Sequence, residues 1–150
     1  MSVDEGVLRA PHVLEYEYKR SVGPVIGAFM TALRDGRILG VVSAGSVVVP
    51  PTEYDPVTGE DTGDLVEVGP GGVVMTWSWI YAPLKDQPLD HPFAWALVKL
   101  DGATTSILHA VDAPSPETVK SGMRVTARFR AQAERQGNIR DIECFEPEKP

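Results

Sequence analysis

Few residues in this 150-residue chain could do chemistry, and they are scattered. His109, with Ser106 before it and Asp112 after it, offers the residue types of a nucleophilic triad. Triad members must converge in space, and three residues within one strand and its exit give no reason for convergence, so a structural histidine is expected. Asp86, Asp90 and His91 bring metal-binding groups to a Pro-rich loop, where solvation is the expected role. His12, His91 and His109 share no ligand spacing. Cys144 is the sole cysteine, so no internal disulfide can form. A structural zinc site wants about four Cys or His ligands, which this chain cannot supply as thiolates. Cys144 falls in a predicted strand, where a buried, inert thiol is expected. Asp55, Glu60, Asp61 and Asp64 lack the alternation of an EF-hand loop and read as a solvated acidic turn. No Gly-rich phosphate cradle is present. No catalytic residue is assigned, and the chain reads as no enzyme by itself.

The elements around these residues are short. Glycine and proline make up 27 of the 150 residues, which favours turns and strands over long helices. The formal net charge is −7, the wrong sign for a protein that neutralises nucleic-acid phosphates. The N-terminus lacks the basic and apolar regions of a signal peptide, and no apolar run is long enough to span a bilayer. A soluble, cytoplasmic protein is expected. Leu14, Tyr16 and Tyr18 alternate with charged residues, as in an extended segment lying on a surface. Pro24 suits a helix start and Gly36 its stop, with Val22, Ile26, Phe29, Met30 and Leu33 on one face. Arg37 to Val49 reads as two short strands around Ser43-Ala44-Gly45-Ser46. Residues 51–70 hold six acids and no Lys or Arg and read as a solvated, turn-rich excursion.

From Gly71 strands dominate: Gly72 to Tyr81, Phe93 to Leu100, Ala103 to Val111 after an Asp101-Gly102 turn, Met123 to Arg130, and Ile139 to Phe145. In the last of these, Ile139, Asp141, Glu143 and Phe145 are expected on one face, opposite Arg140, Ile142 and Cys144. Five such strands fit a small closed barrel of the OB type, with a sandwich fragment as the alternative. Trp77, Trp79 and Trp95 lie on barrel strands, where core or protein-interface roles outweigh base stacking.

One stretch has a second reading. Pro56 and Gly59 keep the turn residues of a Cys-Pro-x-Cys-Gly knuckle, with Asp55 and Thr58 at the cysteine positions. Together with Leu33-Arg-Asp-Gly-Arg-Ile-Leu39, Gly45 to Pro51, the strand opening at Gly71, Phe93 to Gly102 and Val119 to Phe129, this order resembles the zinc-ribbon-plus-OB-fold family called domain of unknown function 35. The resemblance covers about residues 20 to 147. It implies a mainly β chain: an N-terminal arm and amphipathic helix (1–36), a rubredoxin- or zinc-ribbon-like hairpin (37–70) and a five-stranded OB barrel (71–147). The family's four zinc ligands would fall on Val41, Ala44, Asp55 and Thr58, so the resemblance implies a ribbon without metal and no cofactor. The bland alternative is an acidic loop that never was a ribbon.

Members of that family accompany thiolase-like acyl-CoA enzymes. This chain looks most like the accessory subunits of actinobacterial aldolases or thiolases of the lipid-transfer-protein type, which act in steroid side-chain degradation. The resemblance therefore implies a non-catalytic subunit in a hetero-oligomer, docked to a thiolase-like catalytic chain and able to help bind an acyl-CoA thioester. Val22, Ile26, Phe29, Val47 and Val49 are the expected docking face, as exposed apolar residues that need a cover. Arg124, Arg128 and Arg130 share one strand face, solvated in the bland reading and in contact with CoA phosphates in the functional one. The rival is a stand-alone OB module for acyl-CoA or single-stranded nucleic acid.

Overall fold

A computed structural model describes residues 9–149. Residues 1–8, which include the stretch expected to lack a signal peptide, and Pro150 lie outside the described residues. Helix α1 (Pro24–Arg34) starts at its proline, after Gly23 with φ 84°. Its first N–H groups find a distant cap: the Glu53 carboxylate accepts from Val25 (3.2 Å) and Ile26 (3.0 Å). Unpaired N–H groups and the helix dipole both favour a carboxylate there. Phe29, Ala32 and Leu33 are buried, and Gly36, with φ 77°, turns the chain into the next strand.

Three antiparallel strands follow in the order β2-β1-β3: β1 (Ile38–Ser43), β2 (Ser46–Val48) and β3 (Leu65–Val68). The excursion expected over 51–70 therefore ends in a strand. Its acidic alternation hid β3, which pairs Leu65 to Val68 with Val41 to Ile38. A closed barrel comes next, ordered β4-β5-β6-β8-β7: β4 (Gly71–Ile80), β5 (Phe93–Leu100), β6 (Ile107–Val111), β7 (Arg124–Phe129) and β8 (Ile142–Pro147). Closure needs one parallel pairing, Val111 to Phe145. The mainly β fold with one short helix and a five-stranded, OB-like barrel agrees with the expectation.

Two barrel strands start three or four residues later than expected. Strand β6 begins at Ile107 because Thr104 and Thr105 turn away to join β2. Thr104 exchanges hydrogen bonds with the Val47 backbone (2.8 and 3.0 Å), and the Thr105 hydroxyl bonds both backbone groups of Val49 (2.7 and 2.9 Å). Before β8, Ile139–Asp141 is a 3-10 turn, not the start of a strand. Its cause is Asp141, whose carboxylate accepts from the N–H groups of Gln136, Gly137 and Asn138. Such local bonds compete with a sheet ladder. The expected faces consequently fail: Ile142, Cys144 and Phe145 are all buried. One apolar cluster runs through all three parts, from Phe29, Leu33 and Ile38, through Val49 and Val68, to Val74, Val98 and Phe145.

Candidate functional site

Strand β1 ends at Ser43, and Ala44 and Gly45 turn the chain with φ 46° and 78°. The Ser43 hydroxyl donates to Asp55 Oδ2. Asp55 Oδ1 accepts the N–H groups of Val57 and Thr58, each at 2.8 Å. The Asp55 backbone closes the same loop, with its N–H on Glu60 O (2.8 Å) and its carbonyl on Gly59 N–H (2.9 Å). Gly59 has φ 74°, which suits a glycine. Ser43 first, then the two amides, pull the Asp55 carboxyl down to about 2. Two turns are thus cross-linked by one buried carboxylate.

This donor set does not fit zinc. Val41 is fully buried and paired with Val48 and Leu65, Ala44 is a turn residue, and Thr58 is exposed. Only Asp55 could ligate, and its oxygens are already bonded. Among the described residues, no group of three or more His, Cys, Asp or Glu is arranged to hold a metal. The residue that faces Asp55 is Ser43, which sequence reasoning missed. Its one signal is a lone hydroxyl closing a Val-rich strand.

The barrel brings other candidates together, but in ion pairs. Arg124 forms a fork with Asp101 (2.7 Å) and a second contact with Glu148 (2.8 Å). Arg128 reaches Glu143 (2.9 Å), Glu146 (2.9 Å) and Asp112 (3.1 Å). Both guanidinium pKa values are raised; for Arg128, burial opposes the rise and the carboxylates overcome it. Arg130 instead donates its Nε to Arg140 O (2.7 Å). The three arginines expected to share a solvent face are therefore not alike: two are committed to carboxylates.

His109 is 4% exposed and stacks edge-on against Phe145. Its Nδ1 accepts the Ala110 N–H (2.9 Å), and burial lowers its pKa. Asp112 bonds His91 and Arg128 instead, so no Ser106-His109-Asp112 triad is assembled. His91 bridges Asp112 (3.0 Å) and Asp90 (3.1 Å), and these two carboxylates raise its pKa. Burial pushes the Cys144 thiol up to about 12, which leaves it protonated and inert. Trp77 and Trp79 pack in part against the main cluster, and Trp95 meets Phe93 edge-on, so these rings are in part occupied by this chain's own core.

The expected docking face needs correction. Phe29 and Val49 are 3% and 2% exposed, buried within this chain because α1 packs on β1 and Val49 enters the core. Ile26 and Val47 are half-buried, and Val22 alone of the five is exposed, at 50%. The uncovered apolar surface lies just before the helix. Residues 9–22 are exposed throughout, including Val13, Leu14, Tyr16 and Tyr18. Among the described residues nothing covers them, so the extended segment expected to lie on a surface lies on none of this chain's own.

Residues 65–130 match the model of a family described as ChsH2, C-terminal OB-fold domain. Solved structures similar to the chain include the following two. One is a protein of unknown function from the DUF35 family of Sulfolobus solfataricus, 22% identical, with a TM-score of 0.58 over 71% of this chain and 77% of that one. The other is a chain of the Ltp2-ChsH2(DUF35) aldolase, 20% identical, with a TM-score of 0.61 over 86% of this chain and 98% of that one. No curated protein matches the chain. No helix among the described residues is long and apolar enough to cross a membrane.

Proposed function

From the match of residues 65–130 to the ChsH2 C-terminal OB-fold model and the likeness to two DUF35 structures, we propose that this chain is a DUF35/ChsH2-like, non-catalytic accessory subunit of a thiolase-like acyl-CoA enzyme. In this reading the partner is an aldolase or thiolase of the lipid-transfer-protein type, and it supplies the reacting groups. The complex is a cytoplasmic hetero-oligomer that cleaves or condenses an acyl-CoA thioester, such as one from a steroid side chain.

One observation carries the reading: the apolar arm of Val13, Leu14, Tyr16 and Tyr18 runs uncovered into α1 through Val22. Aromatic residues on an exposed segment are strong anchors once a partner buries them. The half-buried Ile26 and Val47 extend that surface. The chemistry of the barrel points the same way. Cys144 is held as a thiol, His109 as a buried imidazole, and Arg124 and Arg128 are committed to carboxylates. We also read the ribbon as metal-free, on the donor set around Asp55.

The test is to purify the tagged chain from its native cells and identify what comes with it. A thiolase-like chain in fixed stoichiometry is expected, lost when Tyr16 and Tyr18 are both changed to Asp. Elemental analysis should find no zinc assigned to this chain. A monomer without a partner would overturn the reading in favour of a stand-alone binding module.

A further inference from the structure

A groove of about 510 Å³ lies beside the seam of the barrel where β6 and β8 pair at one point only. That volume is in the range of small-molecule sites. Its apolar lining is Trp95, Leu108, Ile139 and Ile142, and residues 86–88 form a further wall. Leu108 is 59% exposed, a large cost for a leucine that a ligand could cover. Arg130 and Arg140 also line the groove.

These two arginines differ from their neighbours. Arg124 and Arg128 are paired with carboxylates, whereas among the described residues neither Arg130 nor Arg140 forms an ion pair. Of the acids on the lining, Glu143 is held by Arg128 at 2.9 Å, and among the described residues Asp86 forms no ion pair with either arginine. His109 borders the groove as a buried imidazole whose Nδ1 is occupied by the Ala110 N–H. Two guanidiniums beside an apolar lining disfavour a cation and suit a compact anion carried on an apolar body.

We propose that this groove binds an amphiphilic carboxylate, with its chain or ring on Trp95, Leu108 and Ile142 and its carboxylate on Arg130 and Arg140. The inference does not depend on the docking reading, because the groove and the N-terminal arm share no residue. The test uses the full chain and decanoate as the probe, with decyltrimethylammonium as its cationic counterpart, followed by calorimetry and tryptophan fluorescence. Saturable decanoate binding is expected, at least about tenfold tighter than the cation. Arg140→Gln should weaken decanoate about tenfold, the scale of one charge-assisted contact. Arg140 is exposed and makes no side-chain bond among the described residues, so the variant should fold. Leu108→Asn should weaken both probes without changing circular dichroism. No saturable decanoate binding, equal affinity for the two probes, or an unchanged affinity in Arg140→Gln would each overturn the proposal.

Discussion

In the barrel, Phe93, Val98, Val111, Ile142 and Phe145 are shut off from water, and apolar packing holds the strands. At the tip of the ribbon, from Thr52 to Gly63, the one buried residue is a carboxylate, Asp55. The tip has no core to fall back on, and its shape depends on hydrogen bonds that converge on one side chain. The contrast shows two ways to hold a shape: a barrel by apolar packing, a turn by one buried carboxylate with matched donors, at a strength set by hydrogen bonding.

The contrast is broken most forcefully from the barrel side. Phe145→Ala should cost about 3–5 kcal/mol. Because one cluster joins barrel, ribbon and helix, urea denaturation should show the whole chain destabilised in one transition. A ribbon that melts separately would mean that the shared cluster does not couple the parts. Asp55→Ala should act locally. Hydrogen exchange should show the amides of Val57 and Thr58 unprotected while Ala96 and Val98 stay slow. Loss of protection in the barrel as well would erase the distinction. Ser43→Ala removes one donor of three and should speed exchange at the Val57 and Thr58 amides less than Asp55→Ala does, again with the barrel unchanged.

Acid sharpens the comparison. Asp55 has a folded pKa of about 2, below its ordinary 3.8. Its contribution is therefore complete above the ordinary value and disappears as pH falls through the folded one. The barrel responds at a higher pH. His109 is held neutral by burial, so the unfolded chain binds the proton more readily. Barrel stability should decline as pH drops below about 6.5, before the tip loosens. His91 works in the opposite sense: its raised pKa gives stability that is full below the ordinary value and lost as pH rises through the folded value. His91→Ala should remove that alkaline decline and leave the acid one. The smallest effect belongs to Thr52, whose buried hydroxyl has no partner among the described residues. Thr52→Val should leave Tm unchanged or raise it by about 1–2 °C.

Much of the barrel was legible because its strands are rich in Val and Trp and bounded by turn residues, as at 71–80 and 93–100. The turn at 55–59 was legible only through Pro56 and Gly59. Glu53 capping a helix 28 residues away, β3 pairing with β1 and Ser43 meeting Asp55 are long-range events with no local pattern. Helical spacing identified Phe29 as apolar-facing, but spacing cannot say whether the same chain covers it. Strand alternation grouped Arg124, Arg128 and Arg130. It could not show which would meet carboxylates brought from Asp101, Asp112 and Glu143.

The most direct test of the account is the rate of acyl-CoA carbon–carbon cleavage by the thiolase-like partner, measured with and without this chain. The account predicts no turnover by this chain alone, activity when both are present, and loss of that gain in the Tyr16→Asp, Tyr18→Asp double variant. Turnover by this chain alone, or a partner equally active without it, would contradict the account.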